Sequence, residues 1–105
     1  MNITIEALQA YLSDRYGGRA NEQGLFMKLA EELGEVAEVL NKRAVRKSSD
    51  ESDLQEELGT ELADMLHYIA AIASINEIDF NEIVIQKDRA ASLNTITKPI
   101  WKLSC

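Results

Sequence analysis

Two short acidic motifs contain the residues of this sequence that are best suited to chemistry. Glu32 and Glu35 stand three positions apart in KLAEELGEVAEVL, and Glu61 and Asp64 have the same spacing in ELADMLHYI. On a helix, which turns by about 100° per residue, the first acid of each pair falls inside the arc of apolar side chains, and the second lies at its edge. A carboxylate in such surroundings needs a partner, a proton or a cation.

Helices that carry these two motifs can bring four carboxylates to one point. Four carboxylates so close together repel one another, so the arrangement is stable only around a divalent ion. Cys105 is the only cysteine and His67 the only histidine. The ligands would therefore be mostly oxygen atoms, which favours Mg²⁺ or Mn²⁺ over zinc or copper. The alternative is a salt-bridge network in which the acids pair with Lys28, Lys87 or Arg89.

Three further side chains have two interpretations each. His67 falls over a face of small residues, away from Glu61 on a helical wheel, and we interpret it as structural rather than as a metal ligand. Tyr68, one turn after Asp64, either packs in the core or flanks a ligand above the metal. Lys87 either contacts phosphates or is solvated.

Hydrophobic periodicity predicts an all-α fold whose four helices position the acidic motifs. The predicted helices cover residues 4–16, 22–45, 52–75 and 79–92, and a tail follows over residues 93–105. The predicted capping residues are Asn2 or Thr4, Asn21, Ser52 and Asp79. We expect Asn76 to end the third helix in the left-handed conformation.

The same periodicity predicts which faces of the helices are buried. In the second helix the apolar stripe consists of Leu25, Leu29, Leu33, Val36 and Leu40. In the third helix it consists of Leu54, Leu58, Leu62, Met65, Leu66, Ile69 and Ile72. The third helix also has a face of small residues, made of Ala63, Ala70, Ala71 and Ser74. Small side chains let a second helix approach closely, so this face predicts a tight contact within the chain or in a dimer.

Length and charge limit the classes of protein to which the chain can belong. A chain of 105 residues is expected to form one domain. The net charge of −7 argues against a surface that coats nucleic acid, because such surfaces neutralise phosphates with Lys and Arg. No apolar run approaches the roughly 18 residues of a membrane span, and MNITIEALQ lacks the regions of a signal peptide. We therefore expect a soluble, cytoplasmic protein without nucleic-acid or membrane partners.

The acidic motifs and their surroundings resemble a known enzyme family. The pattern EExxE at residues 31–35, followed by ExxD at residues 61–64, resembles the signature of the MazG-like all-α nucleoside triphosphate pyrophosphohydrolases. KLAEELGEVAEVL looks like the second helix of that family, ELADMLHYI like the third, and NEIDFNEIVIQK like the turn and start of the fourth. The resemblance extends from about Leu25 to Lys87.

The resemblance implies roles for the acids of both motifs. Glu32, Glu35, Glu61 and Asp64 would be the Mg²⁺ ligands. Glu31, the first acid of the signature, would be catalytic, either holding a second ion or orienting the attacking water.

The resemblance also implies two substrate-binding residues. Tyr68 matches an aromatic position that some members use near the nucleotide, and Lys87 matches the lysine of the fourth helix. Many members have an asparagine four residues after that lysine, where this chain has Ala91. Asn94 is the nearest candidate to replace it.

The function implied by the resemblance is Mg²⁺-dependent hydrolysis of a nucleotide between its α and β phosphates, giving a monophosphate and pyrophosphate. Such proteins assemble as dimers or tetramers, so we expect a homo-oligomer that removes noncanonical or surplus nucleotides. One alternative is hydrolysis of phosphoribosyl-ATP by the same site. Another is a helical oligomerisation module whose acids are salt-bridged and inert.

Overall fold

The computed structural model describes residues 1–17, 21–45 and 51–92, and within these ranges it consists of four α-helices without strands. They are α1 (Ile5–Tyr16), α2 (Glu22–Val45), α3 (Glu51–Ile75) and α4 (Phe80–Ser92). The predicted all-α class is therefore confirmed. The tail over residues 93–105, and with it Asn94, lies outside the described residues, as does the side chain of the predicted cap Ser52.

None of the helices in the described part of the chain has the length and apolar character needed to cross a membrane.

The helices α2 and α3 form an antiparallel hairpin, and the contact between them is the most extensive contact between the described helices. At one end of the hairpin, the Asn76 side-chain amide donates to the Glu22 carboxylate at 2.6 Å. The residues of α2 that lose most of their solvent contact are Leu25, Leu29, Glu32, Val36 and Val39. Their spacing alternates between four and three, which is typical of two helices packed side by side, and we call the line of contact between α2 and α3 the seam. The matching series in α3 is Leu54, Leu58, Glu61, Met65 and Tyr68.

The predicted apolar stripe of α2 is wrong at two positions. Leu33 and Leu40 are 58% and 48% exposed, whereas Val39, which was not in the stripe, is 1% exposed. In α3, Leu62 and Leu66 are likewise exposed rather than buried. The physical reason is that α2 carries two apolar lines one residue apart, and the line that faces α3 is the one that contains Glu32.

The small residues of α3 make a contact within the chain. Ala70 and Ala71 have no exposed surface, and they form a buried cluster with Leu12 of α1 and Leu25 of α2. The Ser74 hydroxyl donates to the Gln9 carbonyl of α1 at 3.1 Å. Small side chains therefore let α1 lie closely against the late part of α3. Ala63, the remaining member of the predicted face, is exposed.

The predicted caps of three helices are confirmed by hydrogen bonds. Thr4 Oγ1 accepts from the backbone N–H of Ala7 at 3.0 Å, Asn21 Oδ1 from that of Gln23 at 2.9 Å, and Asp79 Oδ1 from that of Glu82 at 3.1 Å. Each cap satisfies one of the backbone donors that a helix leaves free in its first turn.

The turn from α3 to α4 is fastened to α1 by the side chain of Gln9. Its amide nitrogen donates to the Ile78 carbonyl at 2.8 Å, and its amide oxygen accepts from the backbone N–H of Phe80 at 3.0 Å. The helix α4 begins at this point and packs against α1. The side chain of Gln9 thus ties the start of α4 to α1.

The left-handed residue at the end of α3 is Glu77, not Asn76 as predicted. Glu77 has φ = 56°, and the backbone N–H of Ile78 donates to the Ala73 carbonyl at 2.9 Å while that of Glu77 donates to the Ser74 carbonyl at 3.1 Å. This pair of bonds is a Schellman motif, which puts the left-handed residue one position after Asn76. The Asn76 side chain instead donates to the Ile72 carbonyl at 2.9 Å.

Glu77→Gly is expected to stabilise the protein, because glycine adopts a positive φ without the steric cost that a Cβ atom imposes there. We expect a gain of about 1 kcal/mol, or a rise in Tm of roughly 4 °C, in thermal unfolding followed by circular dichroism. Asn76→Gly is the matched control and should lower Tm, because it removes two side-chain hydrogen bonds. Equal losses of Tm in both variants would contradict the assignment of Glu77.

Candidate metal centre

Three carboxylates meet halfway along the hairpin of α2 and α3. Glu32, Glu61 and Asp64 each offer one oxygen, and these oxygens all lie within 4.8 Å of one another. We refer to these three residues as the carboxylate cluster. Such a set of convergent oxygen atoms is a suitable ligand set for a hard divalent cation.

The seam between the helices places the first two members. Glu32 lies between Leu29 and Val36 in the alternating series of α2, and Glu61 lies between Leu58 and Met65 in that of α3. Apolar layers on both sides hold the two backbones at helix-packing distance, so the acids between them must face each other.

The outer members of the motifs lie on one side of the hairpin. In an antiparallel pair, residues three positions after the seam positions Glu32 and Glu61 fall on the same side, and these are Glu35 and Asp64. The residues one position after the same seam positions, Leu33 and Leu62, fall on the opposite side. The hairpin therefore has an acidic side and an apolar side.

Two buried oxygens of the cluster have no N–H or O–H donor within hydrogen-bond distance among the described residues. They are Glu32 Oε2 and Glu61 Oε2. A buried carboxylate oxygen without a donor is costly unless a proton or a cation supplies the missing interaction. The donor set and its unsatisfied atoms therefore fit a divalent ion.

The lysines that would form the alternative salt-bridge network lie elsewhere in the described structure. Lys28 pairs with Glu31 at 3.7 Å, and both side chains are largely exposed. Lys87 is exposed on α4, the helix that packs against α1. Neither lysine is paired with the carboxylate cluster within the described residues.

Glu61 holds its proton much more tightly than an ordinary glutamic acid. Hydrogen bonding with Glu32 and then with Glu35, together with burial and repulsion by both charges, raises the pKa of Glu61 to about 8. A protonated Glu61 donates the hydrogen bond that the charged form cannot make. Without a cation, Glu61 therefore keeps its proton at neutral pH.

The structure separates the predicted site residues into two groups. Glu32, Glu61 and Asp64 converge, and Glu35, although exposed, is close enough to Glu61 to raise its pKa. The second group lies around or away from them. Glu31 is exposed beside Lys28, Tyr68 is half-buried against the core one turn after Asp64, and Lys87 is on α4.

His67 is bound to α1 rather than directed into the carboxylate cluster. Its Nε2 lies 2.7 Å from the Tyr16 hydroxyl, and burial, followed by the positive charge of Arg15, lowers the pKa of His67. This agrees with the structural interpretation of His67. Tyr16 was not predicted as a functional residue, because its position at the end of α1 and its aromatic ring are the only features that distinguish it in the sequence.

A comparison with protein families agrees with this geometry. The family described as the MazG nucleotide pyrophosphohydrolase domain matches residues 20–89, which is 70 of the 105 residues. The matched region includes both acidic motifs and confirms the resemblance seen in them. No curated protein sequence matches the chain.

We expect the metal-free protein to lose stability as pH rises. The pKa of Glu61 is raised from an ordinary value of 4.5 to about 8, so the folded state binds one more proton than the unfolded state between these values. The stability that this proton contributes is fully present below pH 4.5 and is lost as pH rises through about 8. In EDTA, Tm should therefore fall between pH 5 and pH 8.5.

Glu61→Gln should flatten this pH dependence, because glutamine donates a hydrogen bond at every pH. Glu56→Gln is the matched control, since it removes the same charge from an exposed position of α3. An equal flattening in both variants would show that net charge, rather than the cluster, causes the loss of stability.

Proposed function

The chain belongs to the MazG nucleotide pyrophosphohydrolase domain family, and from that premise we propose that it hydrolyses a nucleoside or deoxynucleoside triphosphate between the α and β phosphates. The products are a nucleoside monophosphate and pyrophosphate. The main support for the proposal is the carboxylate cluster, whose convergent oxygens include two buried atoms without a hydrogen-bond donor in the described part of the chain.

The residues that we assign to the metal are Glu32, Glu61 and Asp64 of the cluster and Glu35 at its edge. Their oxygen atoms suit Mg²⁺, with Mn²⁺ as the alternative. When bound, the ion supplies positive charge that neutralises phosphate oxygens and the pyrophosphate leaving group. Since the chain has a net charge of −7, a triphosphate would otherwise be repelled from this site.

We assign to Glu31 the orientation of the attacking water. It precedes Glu32 by one residue and pairs with Lys28 at 3.7 Å across two exposed side chains. An exposed ion pair of this kind is weak, worth at most about 1 kcal/mol. Glu31 can therefore leave Lys28 and accept a hydrogen bond from a water molecule when substrate is present.

We assign substrate contacts to Tyr68 and Lys87. The Tyr68 ring is one turn from Asp64 on the same face of α3, and this position supports a contact with the nucleotide. Lys87 is exposed on α4, and α4 packs against α1. Removal of noncanonical or surplus nucleotides in the cytoplasm is the role we propose.

Glu32→Gln and Asp64→Asn are expected to reduce turnover to less than about one hundredth of the wild-type value, since even residues that only support metal ligands cost 10- to 100-fold. The assay is a panel of canonical and modified NTPs and dNTPs with phosphoribosyl-ATP, with and without Mg²⁺, in which pyrophosphate and monophosphate are measured. Glu56→Gln, an exposed acid of α3, is the control and should keep wild-type activity. Full activity in both site variants would rule out the assigned site.

Thermal unfolding with and without Mg²⁺ tests the metal site separately from turnover. An ion that binds only the folded protein raises Tm by mass action, so we expect a rise in the wild type and none in Glu32→Gln. An unchanged Tm in the wild type, together with no activity on any nucleotide, would instead favour the inert oligomerisation module.

We also propose that the apolar side of the hairpin is covered by a second copy of the chain. Phe26, Leu33 and Leu40 recur every seven residues along α2 and are 58%, 58% and 48% exposed. Leu62 of α3, which is 48% exposed, lies on the same side of the hairpin. A continuous apolar line of this length is typical of an association surface, and it lies opposite the acidic side.

Leu33→Asp is expected to convert the oligomer into monomers, because it places a charge at the middle of this apolar line. Size-exclusion chromatography with light scattering at micromolar concentration measures the change. Asn41→Asp adds the same charge to an exposed polar position of α2 and should leave the oligomer intact. A wild-type protein that is monomeric in this experiment would contradict the proposed surface.

A further inference from the structure

Three aromatic side chains form a continuous chain from the end of α1 to the neighbourhood of the carboxylate cluster. The rings of Tyr16 and His67 are 5.6 Å apart between centroids, and those of His67 and Tyr68 are 5.1 Å apart. Both pairs meet at 81°, the edge-to-face arrangement that aromatic rings prefer. We call these three residues the aromatic chain.

Tyr68 is the member of the aromatic chain that lies next to the carboxylate cluster. It occupies the seam position of α3 that follows Glu61, seven residues further on, and it stands one turn after Asp64. Its ring also packs against the buried cluster that contains Leu25. One side of Tyr68 is thus held by the core, and another contacts His67.

The orientation of His67 is fixed from α1. The Tyr16 hydroxyl and His67 Nε2 are 2.7 Å apart, a short hydrogen bond in a partly buried setting. Tyr16 is the last residue of α1, and the guanidinium of Arg15 lies 5.5 Å from the centre of its ring. Burial lowers the pKa of His67, and the positive charge of Arg15 lowers it further, whereas the negative charge of Asp64 acts in the opposite direction.

We infer that Tyr16 and His67 are positioning residues, which hold the Tyr68 ring in place for a nucleotide bound at the carboxylate cluster. The inference rests on the proposed function. A tyrosine that is free to change rotamer loses that freedom when a ligand packs against it, and the loss weakens binding. A ring that is already held by its neighbours avoids that loss. The aromatic chain therefore acts on substrate affinity rather than on the chemical step.

Tyr16→Phe tests the inference with the smallest change, because it removes the hydroxyl and keeps the ring. We expect KM for the best triphosphate of the panel to rise about threefold while kcat stays within about twofold. The affinity for a non-hydrolysable α,β-imido analogue, measured by calorimetry, should fall by a similar factor. The rise in Tm with Mg²⁺ should be the same as in the wild type.

Tyr11→Phe is the matched control. Tyr11 is an exposed tyrosine of the same helix, and its hydroxyl contacts the Arg15 side chain at 3.1 Å. This control should keep the wild-type KM. His67→Phe retains a ring against Tyr68 but removes the hydrogen-bond partner of Tyr16. Combining it with Tyr16→Phe should raise KM no more than either change alone, because both changes remove the same hydrogen bond.

The possible results separate this inference from the function on which it rests. A wild-type protein that hydrolyses no nucleotide overturns the proposed function and the inference with it. An active wild type with an unchanged KM in Tyr16→Phe, or an equal rise in Tyr11→Phe, overturns the inference alone. A fall in kcat with KM unchanged also overturns it, because it would show a structural effect on the carboxylate cluster.

Discussion

The position of two half-buried carboxylates in the seam of α2 and α3 is the constraint on which the remainder of the structure depends. Glu32 and Glu61 occupy positions that leucine, valine or methionine fills in the neighbouring layers. The hairpin therefore loses apolar contact at its centre, and the carboxylates repel each other there. The layers on either side must be strong enough to keep the helices together. Helices of 24 and 25 residues supply several such layers, and α1 adds a further one over Ala70 and Ala71. A shorter hairpin would have little apolar contact left to offset an acidic centre.

The two opposite sides of the hairpin suit different kinds of ligand. The acids three positions after the seam glutamates face one side, and the leucines one position after them face the other. Substrate and ion are small and charged, whereas a second helical chain presents a wide apolar surface. Because both sides are set by the same two helices, any rotation of α2 about its axis would disturb the acidic centre and the apolar line together. This coupling leaves few alternative packings that satisfy both sides.

Much of the architecture was predictable because it depends on local signals. Helix positions follow from periodicity, and Thr4, Asn21 and Asp79 act through side chains within three residues of the groups that they cap. The acids of the centre were predictable because carboxylates inside an apolar arc are unusual. The inner face of α2 was not predictable, since the lines through Val39 and through Leu40 are both apolar, and only packing against α3 selects one. The contact between Tyr16 and His67 was not predictable, because it joins residues 51 positions apart in the sequence. The left-handed conformation of Glu77 was not predictable either, because it accompanies backbone hydrogen bonds that the side chain does not indicate.

The attachment of α4 has a consequence for how this architecture can change over time. Gln9 holds the turn before α4 through two bonds to backbone atoms, and backbone atoms are present whatever side chains follow. Mutations within α4 can therefore accumulate without loosening its point of attachment, and without altering the spacing of the seam that carries the acids. The point at which α4 is attached therefore depends on Gln9 and on the backbone of the turn, and not on the side chains of α4.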